Sequence, residues 1–220
     1  MELEISRLQN LPIFANIDAE GIRELTSRLG ASIKVYQKSE FIFLEGDTLD
    51  QVGVLLSGLV YMINEDIWGN KTILSSIRSG DLFGESFACA GYGSSSVAFQ
   101  ARSVCEVLLF PFQKLDQTCE QPCTFHHQMV SNMVKIVAEK NVQMLRKMEV
   151  LSKKTIRERT LAWLSQQSQQ NGNRPLVSPM GRTELAQYLC VDRSALTREL
   201  GRMKRDGLID FDRTTFYLKS

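Results

Sequence analysis

The chain has 220 residues, 43% of them hydrophobic and 23% charged, with a formal net charge of +1. That is ordinary globular composition, and it excludes a disordered, fibrous or disulfide-scaffold protein; the length suits two domains better than one. No apolar run reaches the roughly 20 residues needed to cross a bilayer. The start, MELEISRLQN, is polar and acidic, unlike an export signal, so a cytoplasmic location is expected.

The first 29 residues carry two helical stripes, Ile5, Leu8 and Leu11, then Ile22, Leu25 and Leu29. Pro12 and Asp18 mark the breaks between them. From Ala31 the period changes to two: Ile33 and Val35 alternate with polar residues, and Phe41 and Phe43 keep the same spacing. Turn signals recur at Glu45-Gly46-Asp47, Ser57-Gly58, Gly69-Asn70, Ser79-Gly80-Asp81 and Gly91-Tyr92-Gly93. The runs between them, Val52 to Leu56, Leu59 to Ile63, Thr72 to Ile77, Val97 to Ala101 and Val104 to Phe110, are β-rich. Short strands separated by glycine turns predict an antiparallel β-roll or barrel, with a filled interior as the default.

From about Thr124 the period lengthens. Val130, Val134, Val137, Asn141, Met144 and Met148 follow alternate spacings of four and three, continuing to Leu151. This heptad seam predicts a long helix that pairs with a second copy, and a lone Asn in such a seam fixes register. A further helix is expected over Lys153 to Gln170 with Ile156, Leu161 and Leu164 inward. Asn171 to Pro175 reads as a loop.

The C-terminal stretch is the most informative. Leu185, Ala186 and Leu189 share one helix face; Cys190-Val191-Asp192 breaks it, and Asp192 is a good N-cap. The next helix is expected to run from Arg193 to Arg205 and stop at Gly207. Leu196, Leu200 and Met203 form its inward stripe, and Arg193, Ser194, Thr197 and Arg198 its outward face. Such a face presents arginines and hydroxyls to base edges in a DNA groove. Two short strands, Leu208 to Phe211 and Thr215 to Leu218, then flank Asp212-Arg213-Thr214 as a wing.

Charge agrees with that reading. From Lys153 onward 13 Lys and Arg face 7 Asp and Glu, a net of +6; the remainder carries −5. A basic C-terminal part fits a polyanionic partner. No Gly-rich phosphate loop, nucleophile elbow or metalloprotease helix is present, so an enzyme is not expected. Five cysteines, Cys89, Cys105, Cys119, Cys123 and Cys190, make an odd count and are expected to be reduced.

An α+β chain of β-roll, long helix and winged helix-turn-helix resembles the CRP/FNR family of bacterial transcription regulators, whose roll is like a cyclic nucleotide-binding domain. The resemblance rests on Gly46-Asp47, Ser57-Gly58-Leu59-Val60, Ser79-Gly80-Asp81-Leu82-Phe83-Gly84-Glu85 and Asp192-Arg193-Ser194-Ala195-Leu196-Thr197-Arg198. It implies three parts: a sensing roll over 1–120, a dimerisation helix over 121–152 and a DNA-binding domain over 153–220. It also implies a homodimer on two-fold symmetric double-stranded DNA, and RNA polymerase as a partner. By the motif, Arg193, Ser194 and Arg198 would read bases, while Arg182, Thr197 and Arg202 would hold phosphates. Many members have Glu where Ser194 stands, so a different half-site is expected. Cys190 occupies a turn position often held by Gly, where a positive φ would strain it.

The implied effector segment holds Gly84, Glu85 and Ser86, then Ser95 and Ser96. Members that bind cAMP have Arg followed by Ser in the second stretch, and Ser95 stands in place of that Arg. A phosphate without a cation is costly to bury, so cAMP is not expected as the effector. Members with an iron–sulfur cluster have clustered cysteines near the N-terminus. The first cysteine here is Cys89, so that cofactor is not expected either. Cys119, Cys123, His126 and His127 contain enough ligands for Zn²⁺ or haem, but Pro122 between the cysteines and the absence of a second ligand pair favour a plain helix start. The effector therefore stays open. The alternative to a DNA-binding regulator is a ligand-binding or redox- or haem-sensing module that controls a protein partner.

Overall fold

The structure is a computed structural model, which describes residues 4–69, 71–91, 93–116, 124–171, 175–178 and 180–219. Chain contacts divide it into two compact units. One comprises Met1–Asn70 and Leu74–Glu139; the other comprises Lys140–Ser220 with the short segment Lys71–Ile73. The division falls inside one long helix.

The first unit opens with α1 (Ile5–Leu8), a 3-10 turn over Pro12–Phe14 and α2 (Ala19–Leu29). Asp18 caps α2, its Oδ1 accepting from the Gly21 N–H at 2.8 Å, and Gly30 ends the helix at φ 63°. Among the described residues eight strands follow, the first three residues of β5 being grouped with the second unit: β1 (Ser32–Tyr36), β2 (Phe41–Phe43), β3 (Gln51–Ser57), β4 (Val60–Glu65), β5 (Lys71–Ile77), β6 (Leu82–Phe83), β7 (Ala98–Ala101) and β8 (Cys105–Pro111). They form two four-stranded sheets, ordered β1-β8-β3-β6 and β2-β7-β4-β5. The short helices α3 (Glu85–Ala90) and α4 (Phe112–Asp116) follow β6 and β8.

The central strands β3 and β8 are apolar on both faces because both faces are covered. Val52, Val54, Leu56, Leu108 and Phe110 meet the helical layer of Leu8, Ile13, Phe14, Ile22, Leu25 and Leu29. Leu55, Cys105, Val107 and Leu109 turn into the roll, against Ile42, Val60, Ile77, Phe83 and Phe99.

Two edge strands depart from the alternation expected of them. On β2 the buried residue is Ile42, while Phe41 stays exposed; the register of β2 against β7 shifts between Phe41 and Phe43. On β1 Val35 is exposed. The elements β6, α3 and α4 have two to six residues, too short for a period to show.

The long helix α5 runs from Thr124 to Leu151. One face packs on its own unit through Met129, Asn132 and Met133. Asn132 donates its amide to the carbonyls of Ile13 at 3.0 Å and Ala15 at 2.8 Å, fixing α5 to the 3-10 turn. The seam residues Val130, Val134, Val137, Asn141, Met144 and Met148 all lie exposed on the other faces.

In the second unit α6 spans Ile156–Asn171, beginning three residues later than expected. Thr155 and Glu158 form a reciprocal cap there: the Glu158 N–H donates to Thr155 Oγ1, and Glu158 Oε2 accepts from the Thr155 N–H. Its buried residues are Thr160, Trp163, Leu164 and Ser168, whereas Ile156 and Leu161 are only half-buried. The helices α7 (Arg182–Tyr188) and α8 (Arg193–Arg205) follow, with a three-stranded sheet ordered β10-β11-β9. The hairpin β10 (Ile209–Asp212) and β11 (Thr215–Leu218) is the expected wing; β9 (Leu176–Val177) adds a third strand to it. Trp163 meets Phe216 edge-on, with ring centroids 5.8 Å apart, and so joins α6 to the wing.

Candidate nucleic-acid interface and effector segment

The two-helix unit is built on buried apolar contacts: Leu185, Ala186 and Leu189 from α7 and its end, Leu196, Leu200 and Met203 from α8. Asp192 caps α8 as expected, its Oδ1 accepting from the Ala195 N–H at 2.7 Å. Cys190 in the turn has φ 54° and is exposed, so a side chain stands in left-handed backbone that glycine occupies freely. Gly207 closes α8 at φ 72°.

With the apolar stripe turned in, Arg193, Ser194, Thr197, Arg198 and Arg202 are all exposed on α8. They are not equally free to act. The Thr197 hydroxyl donates to the Arg193 carbonyl at 2.9 Å. Arg202 lies 3.4 Å from the Glu199 carboxylate. Arg182 sits at the start of α7, its guanidinium 4.6 Å from the centre of the Phe211 ring and 4.9 Å from that of Phe216, and burial lowers its pKa. Arg182 thus braces the wing.

Several supporting residues carried no signal in the sequence. Arg157 at the start of α6 pairs with Glu199 on α8 at 2.6 Å and with Asp206, just past the end of α8, at 2.7 Å. The pairing with Arg157 holds the Glu199 carboxyl below the usual range. Arg159 donates to the carbonyls of Leu189 and Cys190, satisfying the open end of α7. Lys204 pairs with Asp210 at 2.5 Å and ties α8 to the wing. Lys147 of α5 lies 4.0 Å over the Tyr188 ring, and burial pushes its pKa down to about 8. All of these contacts but Lys204 with Asp210 join residues far apart in sequence, which no local pattern can announce.

The segment expected to hold an effector is more closed. Gly84 has φ 80° and caps α3. Glu85 is 2% exposed, and the Ser86 hydroxyl reaches its carboxylate at 3.3 Å. Ser95 is buried, its hydroxyl donating to the Val97 carbonyl at 2.7 Å and accepting from the Val97 N–H at 3.2 Å. Its backbone bridges Asp47 and Gly46. Ser96 is exposed and accepts from the Asn64 amide through its carbonyl. Between the sheets, the rings of Phe43, Phe83 and Phe99 lie 5.3 to 5.9 Å apart and occupy the interior. Of the four residues with ligand chemistry weighed above, Cys119 and Cys123 fall outside the described residues. His126 Nε2 lies 2.5 Å from the Leu115 carbonyl, and His127 is exposed.

An antiparallel roll, a long helix with an uncovered apolar seam and a basic winged helix-turn-helix are the architecture of a DNA-binding transcription regulator. Residues 33–122 match the cyclic nucleotide-binding domain and residues 158–219 the Crp-like helix-turn-helix domain. The chain is 29% identical to electron transport regulator A of Shewanella oneidensis over 185 residues, 80% of this chain and 70% of the relative. It is 28% identical to the transcriptional activator protein anr of Pseudomonas aeruginosa over 206 residues, 90% and 80% respectively. The fold matches that of the c-di-GMP responsive global regulator CLP of Xanthomonas campestris with a TM-score of 0.74 at 20% identity, covering 92% of this chain and 100% of the other. The chain belongs to the CRP/FNR family of transcription regulators. Among the described residues no helix is long and apolar enough to cross a membrane.

Proposed function

We propose that the protein is a homodimer that binds a two-fold symmetric DNA site through paired α8 helices, under control of a signal other than cAMP at the roll. The observation that carries the DNA reading is α8 itself: capped by Asp192, buried through Leu196, Leu200 and Met203, and exposing Arg193, Ser194 and Arg198 together. The dimer reading rests on α5, which leaves an apolar heptad seam in water: Val134 is 64% exposed and Met144 63%. RNA polymerase is the partner through which such a bound dimer would act.

Against cAMP stands the chemistry of the segment. Residues 84–101 contain no Lys or Arg, and the Ser95 hydroxyl is spent on Val97. A cyclic phosphate there would lack a counter-charge. The same argument weighs against c-di-GMP bound at this segment. A neutral effector suits the serines better.

The test is selection of duplexes from a randomised pool, followed by binding of the Arg193→Ala variant. It is expected to lose about 1–3 kcal/mol on the selected duplex and to relax preference at one base pair per half-site. A symmetric consensus supports the dimer. Unchanged preference in the variant would overturn the placement of α8, and micromolar cAMP binding by calorimetry would overturn the effector reading.

A further inference from the structure

Gly201 lies in the interior of α8, a place where glycine weakens a helix relative to alanine. Many of the glycines elsewhere among the described residues answer to internal needs. A Cβ at Gly21 would stand 2.6 Å from the Phe125 ring, and one at Gly53 would stand 2.5 Å from the Phe83 ring. Others sit at positive φ, where a side chain is strained.

Gly201 has neither reason. Its backbone is not among the positive-φ positions. The nearest atom to a Cβ built there is Arg205 Nη1 at 3.8 Å, ordinary contact with the movable end of a long side chain. Alanine would fit within the protein and strengthen the helix. Gly201 is half-buried, and it stands four residues from Thr197 and three from Arg198, both of them exposed. It is thus flanked by residues that face the groove in the reading proposed above, on which this inference rests.

We infer that Gly201 is the close-approach point of α8 on DNA. The missing Cβ lets the helix axis settle deep enough for Arg193, Ser194 and Arg198 to reach base edges together. A methyl group at 201 would hold the helix outward against the groove wall. Phosphate contacts by long arginines would survive that shift; base contacts, which depend on depth, would not. Gly201 is therefore a positioning residue for sequence recognition, and its effects on fold and on binding have opposite signs.

The experiment compares the full-length protein with its Gly201→Ala variant on two duplexes: one selected by the wild type from a randomised pool, and one of the same length and composition but scrambled. The variant's Tm is expected to rise by about 2–4 °C, as for an alanine replacing a helix-interior glycine. Its affinity for the selected duplex is expected to fall roughly tenfold or more, with less than about a threefold change on the scrambled one. An unchanged affinity for the selected duplex would refute the inference, and so would a lowered Tm, because the glycine would then serve the fold. An Arg198→Ala variant separates the two layers of the argument. If it weakens selected binding while Gly201→Ala does not, only the close approach fails; if neither does, the placement of α8 itself is wrong.

Discussion

The seam on α5 yields a quantitative prediction. In a two-fold coil a seam residue meets the seam of its own copy, so one substitution is felt twice. Met144 is 63% exposed in the single chain, so nearly two-thirds of its surface is still available for burial. Fully burying a Met contributes about 1.5–3 kcal/mol, which gives about 1–2 kcal/mol per copy and about 2–4 kcal/mol per dimer. Met144→Ala keeps helix propensity and removes most of this, so the dimer Kd should weaken by about 30- to 1,000-fold. Sedimentation equilibrium over a range of protein concentrations measures it directly. Val142→Ala is the control: Val142 is exposed on the same helix but lies off the four-three spacing, and it should shift the Kd by less than about threefold. A wild-type chain that stays monomeric at tens of micromolar, or a Met144→Ala variant that dissociates at the same concentration as the wild type, would refute the pairing.

Two further outcomes follow from the second unit. The Glu199 carboxyl is depressed below its ordinary 4.5 chiefly by its bond to Arg157, so its contribution to stability is present above pH 4.5 and is lost as pH falls through the lower folded value. The urea midpoint of the wild type should therefore fall more steeply below pH 4.5 than that of Glu199→Gln; equal slopes would mean the pair does not couple to folding. Arg182 lies over Phe211 and Phe216, so Arg182→Gln should lower stability by about 1 kcal/mol and leave the log–log salt slope of DNA binding unchanged. A slope reduced by about 1 would instead assign Arg182 to a phosphate.

Legibility followed the range of the interaction. The recognition helix could be read to the residue, from Asp192 to Arg205, because its cap, its apolar stripe and its stop glycine are all local signals. The roll could be read as a succession of strands, yet β2 put Ile42 inward beside Phe43 and left Phe41 exposed. A three-residue edge strand with a register shift has too short a period to fix its own face. The site's bracing was not legible at all. Arg157 and Arg159 look like surface charges on a helix, and only the fold brings them to Glu199, Asp206 and the end of α7. Ser95 shows the limit most clearly. Its place in the segment invited a ligand contact, but whether a serine faces a ligand or its own loop depends on where one hydroxyl points, and here it points to the Val97 carbonyl. The same consideration reshapes Thr197. Its hydroxyl has one hydrogen, donated to the Arg193 carbonyl, and phosphate oxygens only accept, so in this rotamer Thr197 offers DNA a methyl group and lone pairs. In the reading proposed above, the affinity of α8 for the backbone then falls to its arginines, which tolerate a change in depth, while the base contacts do not, so the depth that Gly201 permits is what would decide between sliding along a duplex and stopping on a sequence.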